Sequence, residues 1–447
     1  MDLKDIRLYI DDRPGERVFR VHRDVFCDPA LFELEERYIF ARTWNFLAHE
    51  SQIAQSNDFI SSALGRVPII VMRDGEGRIG AFLNACRHKG AMLTRVESGN
   101  RKFLVCAYHG WAYGTDGKNA NIKDREAARY AAGFDADSHD LMPLPKLANY
   151  RGFIFGSLNP EVPPIESFLG EMRFFIDLAV DQGAGEMEFV PGRIAFVYDG
   201  NWKLQMDNGI DAYHLTSTHA GFLDIMAKRS AGQGHVDAKM FDWQKRYSQE
   251  AGSFQFANGH AAIWLNQAEV AKRPIYPRIR QIAERVGQLR ADWMLKSRNT
   301  TIFPNMQIAD ATNLLVRVAR PLAVDKTEVR YWCFAPKDET AEQRAWRLRQ
   351  FEDFFNVSGF ATPDDTVLYE DCQRGYAATP VEWLQGYSRG VGAEHAGADE
   401  VAAMAGLKPV SSAKSMFDLA SEVCFHPLYR EWARLMHAGV TGTKAYE

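Results

Sequence analysis

Cysteine is scarce in this chain, with six residues in 447. A disulfide-built scaffold is therefore excluded, and the cysteines read as metal ligands or free thiols. Long apolar runs are missing too. Stretches such as Val67–Met72 fall far short of the roughly 18–20 residues that a membrane-spanning helix needs. Neither sign of charge dominates: Lys+Arg is 53, Asp+Glu is 58 and the net charge is −5. The chain has no global field to attract nucleic acid or an anionic membrane, although a local basic patch would be compatible with these totals. Asp2, Lys4, Asp5, Arg7, Asp11, Asp12 and Arg13 interrupt the N-terminus, which lacks the apolar core of a signal peptide, so a cytoplasmic protein is expected. There is no internal repeat and no low-complexity block.

What remains is globular material, 46% hydrophobic and 25% charged. The length is about three times the typical domain of ~150 residues, so two domains, one of them large, are expected. Ala30–Phe40 places Leu31, Phe32, Leu34, Tyr38 and Ile39 at helical spacing. From Trp44 to about Leu158 the texture is short β-type runs between turn residues. Val67–Arg73 and Arg78–Asn84 flank Asp74-Gly75-Glu76-Gly77, which predicts a hairpin. Phe103–Tyr108 and Trp111–Tyr113 flank His109-Gly110, Thr115–Lys118 is a further turn, and Gly152–Leu158 is a last strand. Beyond Pro163-Pro164 the patterns predict helices over Ile165–Ala179, Lys203–His214, Ile279–Leu289 and Glu342–Phe355. Strands are predicted over Met187–Tyr198 and Leu314–Phe334, and a loop with a short helix over Arg389–Ala405. The expected domains are 41–160, small and all-β, and 161–447, mixed α+β, with the segment 1–40 packing on the latter.

Two constellations carry chemistry. The first is Cys86-Arg-His88, then seventeen residues, then Cys106-Ala-Tyr-His109. Two Cys/His pairs on two hairpin tips can grip one compact inorganic centre. In a Rieske [2Fe–2S] cluster two thiolates hold one iron and two imidazoles the other, which raises the potential to about −150 to +300 mV. Zinc is the rival, since two Cys and two His also suit a tetrahedral structural site. Interleaved Cys-x-His and Cys-x-x-His favour iron–sulfur, because zinc sites usually pair Cys with Cys and His with His.

The second is Asn208-Gly-Ile-Asp211-Ala-Tyr-His214-Leu-Thr-Ser-Thr-His219. On a helix, Asn208, Asp211 and His214 share one face. His219 lies about 140° further round, so the two imidazoles converge only if the helix ends, bends or bulges at Thr216-Ser217-Thr218. Two histidines and a carboxylate make the facial triad of non-haem Fe(II) oxygenases, which leaves positions open for oxygen. Alone, two such histidines are more often packed residues; the upstream Cys/His motif reverses that weighting.

With both motifs in view, the chain resembles the large (α) subunit of the Rieske-type aromatic-ring-hydroxylating oxygenases, over nearly its whole length. Val21-His-Arg-Asp-Val-Phe, Leu47-Ala-His-Glu-Ser-Gln-Ile, Gly200-Asn-Trp-Lys and the Asn208–Asp211 spacing are most similar to the group acting on benzoate, halobenzoate, anthranilate and salicylate. The resemblance implies an α+β protein, a small all-β Rieske domain plus a catalytic domain with an antiparallel sheet flanked by helices. It implies that Cys86, His88, Cys106 and His109 bind the cluster and that His214 and His219 bind a mononuclear iron. It implies Asp365 of Gly359-Phe-Ala-Thr-Pro-Asp364-Asp365 as the third ligand, in preference to Asp364. The alternative reading of this Asp-Asp pair is a helix N-cap, and the two roles can be divided between the residues.

The same resemblance assigns Asp211 to catalysis as a bridge. One carboxylate would accept from His109 of one subunit and His214 of the next, since each imidazole opposite a metal needs an acceptor. A head-to-tail ring, a trimer, follows from such a heterologous contact. Asn208, Gly209, Leu215, Phe355 and Ala361 correspond to pocket-lining positions, and the strand around Met306 and Ile308 is a secondary candidate. Arg317 and Gln307 are candidates for holding a substrate carboxylate, and sequence does not choose between them and a surface role. The expected reaction is cis-dihydroxylation of an aromatic ring, O₂ being the co-substrate. Electrons would come from NAD(P)H through the FAD of a partner reductase, with or without a ferredoxin. A small β subunit in an α3β3 assembly is the implied partner. Gly390-Val-Gly392-Ala-Glu-His395 lacks the third glycine of a dinucleotide fingerprint, so no nucleotide site is expected on this chain. Ring monohydroxylation, or dihydroxylation of a neutral or amino-substituted arene, are the runner-up activities, and a non-catalytic Rieske electron carrier is the reading from another class. Cys27, Cys333, Cys372 and Cys424 fit no motif and are expected to be inert. The other eight histidines, among them His49 and His235, are expected to be structural or exposed.

Overall fold

The computed structural model describes residues 5–230, 249–311, 313–416 and 421–446, and His235 lies outside them. The chain is α+β and divides into two units, Phe40–Ile165 and a larger one formed by Met1–Ile39 with Glu166–Glu447. None of the described helices is long and apolar enough to cross a membrane.

The unit Phe40–Ile165 is built from turns and short antiparallel strands. A four-stranded sheet runs Ile79–Leu83, Val67–Arg73, Asp58–Leu64, Ser98–Asn100. The hairpin turn between its first two strands forms because the Asp74 carboxylate accepts from the Glu76 and Arg78 N–H groups and Gly77 takes φ +86°. Two three-stranded sheets complete the unit, one of them Asn119–Asn121, Ala112–Gly114, Phe103–Val105. Cys86, Cys106, Trp111 and Tyr113 lie in a buried cluster with Phe59, Ile70 and Met72.

In the larger unit a ten-stranded antiparallel sheet is the scaffold. Its central order is Lys326–Pro336, Leu314–Ala323, Met306–Asp310, Ser297–Ile302, Ala261–Leu265, Glu250–Gln255. Buried Glu35 ties the N-terminal segment to this unit. It accepts from Trp202 Nε1 (2.8 Å), Trp432 Nε1 (2.6 Å) and Lys203 Nζ (2.5 Å). Asn201 caps the helix Trp202–Asn208 by accepting from the Lys203 N–H, so Gly200-Asn-Trp-Lys is a helix start pinned to a buried carboxylate.

Several predicted elements are interrupted where glycine permits it. Ile165–Ala179 is two helices broken at Gly170 (φ +48°), and Ile279–Leu289 is cut at Gly287 (φ +90°). Met187–Tyr198 is two strands, because Pro191-Gly192 lies between them. The tail includes a strand, Glu394–Ala396, paired with Ser411–Met416, where only a loop and short helix are expected.

Candidate metal centres

Two loops of the unit Phe40–Ile165 share one backbone design. Gly90 N–H donates to the Cys86 carbonyl and Cys86 N–H to the Ala91 carbonyl, both 2.8 Å. Gly110 N–H donates to the Cys106 carbonyl (2.9 Å) and Cys106 N–H to the Trp111 carbonyl (2.8 Å). Gly90 and Gly110 both take φ +74°, a conformation costly for other residues. A glycine four residues after each cysteine is a signal that the ligand spacing alone overlooks. The loops bring His88 and His109 together, ring centroids 4.4 Å apart, and Trp111 stacks on His88. The Tyr113 hydroxyl accepts the Arg87 N–H (3.0 Å) and lies 3.3 Å from Cys86 Sγ. Burial, and then that thiol, push the phenol upward, so it stays protonated.

The second centre forms in the larger unit. The helix Trp202–Asn208 stops at Gly209, so the predicted helix Lys203–His214 is corrected here. Asp211 Oδ1 takes the Tyr213 N–H at 2.7 Å, a local bond that competes with helix continuation. Asn208, Asp211 and His214 nonetheless meet through this turn: Asn208 Nδ2 is 3.3 Å from His214 Nε2, and His214 Nδ1 is 3.0 Å from Asp211 Oδ2. A single helical turn, Leu215–Thr218, then ends at His219, whose ψ of 30° leaves the helix. That ending lets the imidazoles converge. Asp365, in the first turn of the helix Thr362–Gly375, places Oδ1 3.1 Å from His219 Nε2 and 3.5 Å from His214 Nε2. Asp364 Oδ2 lies 3.4 Å from His219 Nδ1. Neither aspartate is the N-cap, a position occupied by Ala361, and both favour the helix N-terminus electrostatically.

The three side chains open on a cavity of about 110 Å³. Asn208, Gly209, Leu215 and Phe355 line it, as does Arg317. Met306, Ile308 and Ala361 do not. Strand register gives the reason for two of them: Ile308 faces Thr300 and Val316, and Met306 faces Ile302 and Val318, on the opposite face of the pleat from Gln307 and Arg317. Ala361 is buried at its helix start. The lining also includes Ile263, Leu265, Asn299 and Phe354, most of them on strands that the sequence reading does not resolve. Gly209 is needed for packing: a Cβ there would meet the Gln307 amide within 2.3 Å.

The comparisons fall on the same two units. Residues 43–142 match the Rieske [2Fe-2S] domain, and residues 186–438 match the ring hydroxylating alpha subunit catalytic domain. The chain belongs to the ring-hydroxylating alpha-subunit family. Members are oxygenase oxidoreductases. It is 41% identical to the 2-halobenzoate 1,2-dioxygenase large subunit of Burkholderia cepacia, across 96% of this chain and 92% of that one. It is 39% identical to the toluate 1,2-dioxygenase subunit alpha of Pseudomonas putida, across 96% of each. Among solved structures, naphthalene 1,2-dioxygenase from Rhodococcus sp. bound to indole superposes with a TM-score of 0.82 at 25% identity, covering 98% of both chains.

As a ring-hydroxylating alpha subunit, the chain uses a [2Fe–2S] cluster and a mononuclear iron, and the reductase cofactors lie on another chain. The donor sets suit these groups. His88 Nδ1 and His109 Nδ1 are buried with no hydrogen-bond partner, a costly state unless a metal takes the lone pairs. Among the described residues, the one His/Cys/Asp/Glu group whose ligand atoms all lie within 4.8 Å of one another is His214, His219 and Asp365. At this centre, burial pushes the His214 imidazolium down, but the hydrogen bond and charge of Asp211, and then Asp365, outweigh it and leave its pKa above the ordinary value.

Behind this turn lies Asp207. Its Oδ2 accepts from the hydroxyls of Tyr387 (2.9 Å) and Tyr429 (2.5 Å), while Oδ1 is buried without a partner. Burial lifts its pKa to about 7, against the two tyrosine hydrogen bonds. The folded state therefore keeps a proton that the unfolded chain, with a carboxyl near 3.8, has already lost. Stability falls as pH rises from about 4 toward 7. Asp207→Asn is expected to flatten that slope and raise Tm at pH 8 by a few degrees, as read by thermal melts across pH. An unchanged profile would rule out the buried proton.

Proposed function

We propose that this chain is the large subunit of a terminal oxygenase that cis-dihydroxylates the ring of a monocyclic aromatic carboxylic acid. The reaction adds both atoms of O₂ across one ring carbon–carbon bond and consumes two electrons and two protons, formally NAD(P)H and H⁺. The observation that carries this reading is the His214–His219–Asp365 triad opening on a ring-sized cavity, in a chain that also bears a Rieske domain. The cavity of about 110 Å³ suits a single ring; an apolar cavity of about 150 Å³ takes up benzene. The halobenzoate, toluate and anthranilate dioxygenase relatives support a carboxylated substrate.

In this reading Cys86 and Cys106 hold one iron of the cluster and His88 and His109 the other, while His214, His219 and Asp365 hold the mononuclear iron. A cluster held there would supply single-electron transfer, and an iron held there would supply open coordination positions for O₂. Asp211 and Asp364 accept from the Nδ1–H groups of His214 and His219, which turns both Nε2 lone pairs inward. Leu215, Ile263, Leu265, Phe354 and Phe355 keep the ring site apolar. Asp211 also bridges to His109 of a neighbouring copy, so the working unit is a ring of three large subunits, with a small β subunit in an α3β3 assembly. An FAD-containing, NAD(P)H-dependent reductase supplies electrons, with or without a ferredoxin, and the assembly works in the cytoplasm.

The test is product analysis under ¹⁸O₂ with the reconstituted system and a panel of benzoate, anthranilate, salicylate and a neutral arene. A cis-diol of an aromatic acid carrying two labelled oxygens is expected. One labelled hydroxyl on salicylate would establish monohydroxylation instead, and a doubly labelled diol from the neutral arene alone would remove the acid. No product from any substrate, together with cluster iron alone, would leave an electron carrier.

A further inference from the structure

The cavity is lined by two guanidinium groups, and their surroundings differ. Arg298 is fully engaged. Its Nη2 donates to Asp310, which also receives Arg273, and its Nη1 donates to the carbonyls of Trp293 and Lys296. Arg317 has no carboxylate partner among the described residues. Its residue is 5% exposed, its Nε is buried with no hydrogen-bond partner, and Nη1 reaches only Gln307 Oε1, at 3.4 Å. The aromatic rings of Tyr331 (4.7 Å) and Phe355 (5.7 Å) lie against the guanidinium. Those contacts stabilise a cation without neutralising it.

A buried cation without a counter-ion is unfavourable, and the space beside it is the cavity itself. We propose that Arg317 receives the carboxylate of the substrate and thereby fixes how the aromatic acid is oriented relative to the His214–His219–Asp365 triad. The planar guanidinium suits two parallel N–H···O bonds to a carboxylate. Gln307 is the positioning residue. Its Nε2 donates to the Met206 carbonyl (2.8 Å) and to Thr301 Oγ1 (3.1 Å), which turns Oε1 toward Arg317. Gly209 lets the main chain close over that amide. A neutral arene leaves Arg317 uncompensated, so the site selects for the anion by what it would leave unpaired.

This inference rests on the aromatic-acid reading, and the experiment separates the two. Benzoate and its neutral isostere benzamide are titrated into the holoenzyme by calorimetry, with cluster absorbance and iron content as folding controls. Wild type is expected to bind benzoate at least tenfold more tightly than benzamide. Arg317→Gln is expected to weaken benzoate about 100-fold, to leave benzamide within a few-fold, and to raise KM far more than it lowers kcat. Arg317→Lys, which keeps the charge but loses the planar fork, should retain part of the preference and serves if the glutamine variant does not fold. Undiminished benzoate binding in either variant would overturn the role of Arg317 while the acid substrate stands. A wild type that binds benzamide as well as benzoate would sink the role of Arg317 together with the acid reading.

Discussion

Asp365→Ala is expected to stop oxygen insertion while leaving the Rieske signal of the chain intact. Among the described residues, Asp365 Oδ1 is the one carboxylate oxygen that meets both His219 Nε2 (3.1 Å) and His214 Nε2 (3.5 Å). Without it two neutral imidazoles remain, and a divalent iron held there would lose its one anionic donor. The proposed cluster donors sit in the other unit, on loops closed by their own backbone hydrogen bonds. Metal analysis should therefore find one iron fewer per chain, paramagnetic resonance of the reduced cluster should be unchanged, and turnover should fall by roughly 10³ or more, the scale of several kcal/mol. Asp364→Ala is the control. It removes only the acceptor at His219 Nδ1, and outer-shell losses of that kind cost about 10–100-fold. Full iron retention in Asp365→Ala, with loss in Asp364→Ala, would exchange the roles of the two.

How far the sequence foretells this architecture depends on how local the determinants are. The hairpin around Asp74–Gly77 is written in residues that bond to one another, and its strands Val67–Arg73 and Ile79–Leu83 lie where alternation puts them. The helix Ala341–Phe355 starts one residue from its predicted position, because Thr340 and Gln343 form a capping box at its start. The strands Glu250–Gln255 and Ala261–Leu265 escape notice for the opposite reason. Buried on both faces, neither carries alternation: Ala261–Leu265 is a bare apolar run, and Glu250–Gln255, with Glu, Gly, Ser and Gln among its six residues, lacks a strand signature.

The same division holds within the site. The two loops that carry Cys86, His88, Cys106 and His109 are legible because each pair is local, and one glycine-closed loop design serves both. His214 and His219 converge as anticipated from a break in the helix, but the face-sharing argument for Asn208, Asp211 and His214 holds by accident: a turn, not a helix, brings them together. Arg317 is the case that sequence leaves undecided. Its significance lies in a carboxylate it does not contact and in a neighbour, Arg298, that has one, both properties of the folded sheet.

Asp211→Ala should leave both metal sites largely occupied yet end product formation. Its Oδ2 holds His214 Nδ1 at 3.0 Å, so truncation loosens an iron ligand without deleting one, and iron affinity should fall by about 10–100-fold at most. Electron delivery is the larger loss, because the carboxylate is proposed to join His214 of one copy to His109 of the next. In a single-turnover experiment the chemically reduced cluster of the variant should persist when O₂ and substrate are added, whereas that of wild type should be reoxidised within turnover. Normal reoxidation in Asp211→Ala would remove the bridge. A mixed assembly separates a path between copies from a path within one. Cys86→Ala chains are expected to lack a cluster and Asp365→Ala chains the mononuclear iron, so either alone should be inactive. If electrons cross between copies, co-assembled rings contain junctions where an intact cluster faces an intact iron site, and activity returns. If they travel within a chain, no junction in the mixture is complete, and the mixed rings stay as inactive as their parents.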